Sequence, residues 1–136
     1  MTNPAPVRSP QLYETENDIT KSRRGELVVL LNLRLASAVD LYSQLKQAHW
    51  NVKGPSFIGL HQLFDEVAGS DEANVDALAE RVVQLGGIAE GTVRVSAAKT
   101  RLAEYPLAIA DGLYIHGIYQ DCERKHCFPF GFLALY

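Results

Sequence analysis

Cysteine is scarce and late in this sequence. Cys122 and Cys127 are the only two, both within the last fifteen residues, so no disulfide framework is on offer. Long apolar runs are missing too, and nothing here would cross a bilayer. The opening, Met1-Thr2-Asn3-Pro4-Ala5-Pro6-Val7-Arg8, lacks the basic start and apolar core of a secretory signal. The expectation is a cytoplasmic protein without a membrane partner. Nor is positive charge in excess: 13 Lys and Arg against 16 Asp and Glu leave a net charge of −3, which gives no general attraction for nucleic acid. Internal repeats and low-complexity stretches are absent. What is plentiful is apolar side chain, 47% of 136 residues, enough for one domain with one modest core.

Residues 1–17 hold Pro4, Pro6 and Pro10 and no helical period, and read as a mobile arm. Asp18, Thr20 and Ser22 offer caps for a helix start. Leu27, Leu30, Leu31, Ala38, Leu41, Leu45 and Ala48 then follow the helical rhythm as far as His49. Nothing from Glu26 to Trp50 breaks that rhythm, which predicts a long first helix. Gly54-Pro55 makes a turn, with Pro55 suited to the first position of a second helix. Phe57, Leu60, Phe64, Val67, Val75, Leu78, Val82 and Leu85 give that helix its apolar face, and Gly86-Gly87 ends it. Residues 88–110 read as a connection with one short helix.

From Leu113 the character changes. The last 24 residues hold six of the twelve aromatics, both cysteines, and His116 and His126, without a sustained helical period. Pro129 and Gly131 would break any helix near the end of the chain. Glu123 and His126 have the Glu-x-x-His spacing used in di-iron bundles, but a single copy without helical pattern says little. A zinc site from His116, Cys122, His126 and Cys127 fits no common module. The plain reading is an accidental cluster.

The stretch from Lys46 to Glu80 organises the rest. His61 and Asp65 stand four apart, as do Asp76 and Glu80, so each pair stacks one helical turn apart. The eleven residues from Asp65 to Asp76 rotate by only about 20° net. Imidazole with carboxylate suits a hard-to-borderline ion such as iron. Taken alone, His and Asp on a helix are ordinarily solvated or capping.

Two runs change that weighting. His49-Trp50-Asn51-Val52-Lys53-Gly54-Pro55-Ser56-Phe57-Ile58-Gly59-Leu60-His61-Gln62-Leu63-Phe64-Asp65-Glu66 resembles the signature of the Dps family, DNA-binding proteins from starved cells. Ala79-Glu80-Arg81-Val82-Val83-Gln84-Leu85-Gly86-Gly87 comes after it at that family's spacing. The resemblance covers about residues 10–111 and stops after Asp111-Gly112. It implies an all-α, ferritin-like four-helix bundle, with an 18–111 domain between the arm and a divergent 112–136 tail. The tail is too short for the family's last two long helices, which are expected to be missing or replaced.

By the same resemblance His49, His61, Asp65, Asp76 and Glu80 are ferroxidase ligands. Iron, Fe(II) and Fe(III), is the metal, and Trp50 is an electron donor or radical sink beside it. Lys46 and Lys53 read as exposed charges with apolar stems, and Arg81 as a structural ion-pair partner. Asp65 and Asp76 lie roughly 16 Å apart along one helix, too far to share an ion bound at about 2 Å. One centre built from all five needs halves from two chains, as a two-fold dimer supplies. The family assembles as a dodecamer, oxidises ferrous iron with peroxide, stores the ferric product and shields DNA from oxidative damage.

Two other readings stand beside this one. A non-enzymatic nucleoid-associated protein would need a basic surface. The arm offers Arg8 against Glu14, Glu16 and Asp18, and only Lys21, Arg23 and Arg24 cluster near it. DNA is therefore a weakly supported partner. The other reading is an inactive fragment of a Dps protein, from a frameshift after Gly112.

Overall fold

The computed structural model describes residues 10–105, which form three helices and no strand: α1 (Lys21–Asn51), α2 (Phe57–Gln84) and α3 (Val93–Lys99). The expected all-α class holds, and α3 is the short helix expected in the connection. The readings that fall on residues 106–136, including the fate of the last two long helices and the Cys–His cluster, lie outside the described residues.

The two long helices form an antiparallel hairpin joined by a tight turn. Ala38, Leu41, Leu45 and Ala48 bury the α1 face that the period predicted, and Val28 and Leu35, outside that set, extend it toward the helix start. α2 buries Phe64, Ala68 and Val82 against it. Leu30 was expected on that buried face, yet it is 48% exposed. The inward stripe runs through Val28, Leu31 and Leu35, and Leu30 stands about 100° off either neighbour in sequence. Phe57, at the head of α2, is also partly open to solvent, at 38%.

Two apolar clusters clamp the hairpin. One, toward the turn, gathers Leu41, Leu45, Ala48, Val52, Phe64, Ala68 and Tyr105. The other, at the open end, gathers Val28, Val82 and Leu85 with Leu12, Leu27 and Leu31 around them.

The turn differs from expectation at Pro55. α1 stops where Val52 goes extended, and Gly54 takes a left-handed φ of 102° that side chains rarely adopt. The Phe57 N–H then donates to Gly54 O at 3.1 Å. Pro55 is spent inside this turn, and the helix begins two residues later, at Phe57.

The other end of α2 stops as predicted. Gly86 has φ 82°, its N–H donates to Val83 O at 2.8 Å, and the Gly87 N–H donates to Val82 O at 3.0 Å. This is a Schellman closure, which satisfies carbonyls the helix would leave orphaned. Gly87 is needed for a second reason: a Cβ there would stand 2.7 Å from Val28.

Residues 10–17 do not behave as the mobile arm that their composition suggests. The Tyr13 N–H donates to Gly86 O at 2.7 Å, the Asn17 side chain donates to Gln84 O at 3.2 Å, and Leu12 packs on the open-end cluster. A polar, irregular segment is held here by main-chain partners, a kind of bond that composition does not reveal.

Candidate metal centre

His49 stands on the last turn of α1 and His61 on the second turn of α2, so the tight turn brings the two imidazoles face to face. Their ring centroids are 3.8 Å apart, tilted by 24°. Each ring is also tied to the other's main chain. His49 Nδ1 lies 2.9 Å from His61 O, and His61 Nδ1 lies 3.1 Å from His49 O. A carbonyl oxygen only accepts, so each Nδ1 carries the hydrogen. In a neutral ring the lone pair is then on Nε2, the arrangement that orients a histidine for a metal.

Asp65, one turn beyond His61, places Oδ1 4.0 Å from His49 Nδ1. Its closer partner is Lys46, whose Nζ donates to the same oxygen at 2.6 Å. That ammonium holds the Asp65 carboxyl below its usual range, first through the hydrogen bond and then through charge, with a further pull from the two histidines. Lys46, read from sequence as a plain surface charge, is thus the counter-ion of a candidate ligand.

Asp76 and Glu80 are exposed on α2, eleven and fifteen residues past Asp65. The helix rise sets Asp76 roughly 16 Å farther along the axis. Among the described residues, no three His, Cys, Asp or Glu side chains meet in a metal-holding arrangement. The chain stacks His49 on His61 and sets Asp65 near His49, and it leaves Asp76 and Glu80 farther along α2.

Trp50 is 68% exposed, which rules out a place in the chain's own core. It lines a groove with Tyr42, Lys46, Val93 and Ala97. Lys53 and Arg81 are exposed.

The basic cluster near the arm is smaller than the sequence suggests. Arg24 is buried, with Nη1 within 3.0–3.2 Å of Tyr13 O, Thr15 Oγ1 and Leu85 O. It is a structural tie and is withdrawn from any DNA surface. Arg23 pairs with Glu26 at 3.1 Å.

Sequence reasoning also passed over Asp71, which is 2% exposed with both carboxylate oxygens lacking a hydrogen-bond partner. The signal was there: Asp71 stands seven after Phe64 and eleven before Val82, on the apolar stripe itself.

Set against known proteins, this hairpin has company. The family profile of the ferritin-like domain matches residues 28–110. The DNA protection during starvation protein of Agrobacterium fabrum is 42% identical over 97 residues, which is 71% of this chain and 60% of the relative. Among solved structures, DpsA14 from Streptomyces coelicolor superposes with a TM-score of 0.74 at 30% identity, covering 86% of this chain and 74% of that one. A Dps protein from Bacillus brevis gives 0.72 at 31% identity, covering 78% and 71%. The chain therefore belongs to the ferritin-like family and, within it, to the Dps proteins. It spans 60% and 52% of the length of two curated relatives that it matches.

Proposed function

We propose that this chain binds ferrous iron as a substrate, oxidises it with hydrogen peroxide, holds the ferric product, and so protects DNA in the bacterial cytoplasm. The observation that carries this reading is the reciprocal tie between His49 and His61. It keeps both Nε2 lone pairs out of the mutual tie, and Asp65 stands near His49; imidazole with carboxylate is a donor set that suits Fe(II). The name and identity of the Agrobacterium relative support the protective role.

The centre is completed by a second copy. Two chains with antiparallel α2 helices bring Asp76 and Glu80 of each to His49, His61 and Asp65 of the other, giving two equivalent sites per dimer. Further copies enclose the stored ferric product, as in the dodecamers of the family. An incoming cation takes Asp65 from Lys46, whose ammonium keeps that carboxylate ionised until then. Two ferrous ions give up one electron each; peroxide takes both electrons with two protons and leaves as two waters. Trp50, next to His49 in the chain and solvent-facing, supplies a further electron when only one iron is present.

Subunit mixing tests this. His61→Ala and Glu80→Ala chains, each inactive alone, should recover about a quarter of the wild-type rate of peroxide-driven ferrous oxidation when mixed. Random pairing makes about half the dimers mixed, with one intact site in two. A mixture as inactive as its parents would place all the ligands in one chain and overturn the shared centre.

A further inference from the structure

The buried face of α2 carries one charged side chain. Phe64, Ala68, Asp71 and Val82 are the buried residues of that helix, and Asp71 lies about 20° from the line joining Phe64 to Val82. It falls between the two apolar clusters, one holding Phe64 and Ala68, the other Val82. Leu35, Ala36 and Ala38 are buried on α1 near this level and bring no side-chain donor. Ser37, the buried hydroxyl among them, donates to Leu33 O. The adjoining turns of α2 carry Val67, Ala68, Asn74 and Val75. An ionised carboxylate in this gap has lost its water and gained no donor.

We propose that Asp71 is a proton-dependent pin in the α1–α2 interface. Neutral, it packs and lets the two apolar clusters close as one core; ionised, it loosens the middle of the hairpin. His49 and His61 stand on the two helices so joined, so acidity sets how firmly the pair is held, whatever ion it takes.

The surrounding charges leave this proton alone. α1 carries Arg34 and Asp40 on either side of the level; Arg34 has an interaction of its own, and Asp40 is held by Thr100 and Gln44. At the end of α3, Lys99 pairs with Glu90, and beyond that helix Arg101 is exposed. Burial alone pushes the Asp71 carboxyl up from 3.8 to about 7. The unfolded chain releases this proton near 3.8, whereas the folded chain keeps it to about 7. Between those values the folded state binds more protons, so its stability falls as pH rises and levels off above the folded value.

Urea unfolding of the full chain across pH 5 to 8, beside Asp71→Asn and Asp71→Leu, tests the pin. Relative to either variant, the wild-type unfolding constant should rise up to about tenfold per pH unit between pH 5 and 7. Histidine titration is common to all three and cancels in that comparison. Parallel profiles would overturn the proposal. Should the variants fail to fold, the wild type decides alone by carboxyl carbon NMR. A buried carboxyl titrating near neutral is expected, and one confined to the ordinary range near 4 would refute the pin.

Discussion

The two ends of the hairpin handle charge in opposite ways. At the open end a buried cation, Arg24, reaches Tyr13 O, Thr15 Oγ1 and Leu85 O, while the carbonyls of α2 are closed by Gly86 and Gly87. Binding capacity there is spent on the fold. At the turn end, Lys46 reaches a carboxylate whose side chain is 59% exposed, and two imidazoles keep their Nε2 atoms out of the mutual tie. Binding capacity there is held in reserve. The same two helices thus carry a finished end and an unfinished one, and the unfinished end is where a substrate ion has something to gain.

Changes at the finished end should damage the fold and spare the chemistry. Arg24→Ala leaves Tyr13 O and Leu85 O without their donor and opens space beneath residues 10–17. We expect a loss of about 2–4 kcal/mol in urea unfolding, with unchanged ferrous oxidation per folded chain. Gly86→Ala comes next. Its Cβ would sit 2.4 Å from Tyr13 O, on a residue at φ 82°, at a cost of about 1–3 kcal/mol. Wild-type stability in either variant would mean that the docking of residues 10–17 contributes nothing and that the two ends do not differ.

Changes at the unfinished end should do the reverse. Asp65 is the exposed partner of Lys46, where water screens the pair, so Lys46→Met should change stability little. It removes the competitor for Asp65, and Co(II), a redox-quiet probe, should bind about three- to tenfold more tightly at pH 7 by calorimetry. The gain should vanish on acidification. Lys46 keeps the Asp65 carboxyl ionised below its usual range, so without it Asp65 takes up its proton at a higher pH. The variant's affinity then falls before the wild type's does. Weaker binding at pH 7 would show that Lys46 helps to build the site.

The parts of this fold that were legible are those set by periodicity and by glycine. Leu41, Leu45, Ala48, Phe64 and Val82 announce both long helices, and Gly86-Gly87 announces where the second one stops. Pro55 misleads because a proline after glycine suits either a turn or a first helical position, and the left-handed Gly54 decides for the turn. Arg24 and Asp71 were hidden for a different reason. Charged residues on helices are nearly always solvated, and only the packing of α1 on α2 and of residues 10–17 on both reveals these two as buried. The candidate site was readable only as a list of possible donors. That His49 and His61 fix each other's tautomer depends on how two chain segments cross, which no spacing encodes.

The smallest effect expected is on DNA. Arg24 is buried and Arg23 is paired with Glu26, so near the start of α1 only Lys21 and a shared Arg23 face solvent. Binding through Z phosphates gives a slope of about −0.9Z in log affinity against log salt, hence about −2 at most from these two. Such a contact changes affinity only about tenfold between 50 and 200 mM salt. Arg23→Ala should therefore weaken an already weak complex by less than about threefold, read by fluorescence anisotropy on a labelled duplex. Nanomolar binding that survives 200 mM salt, or a slope nearer −6, would show that cations other than these two carry the contact.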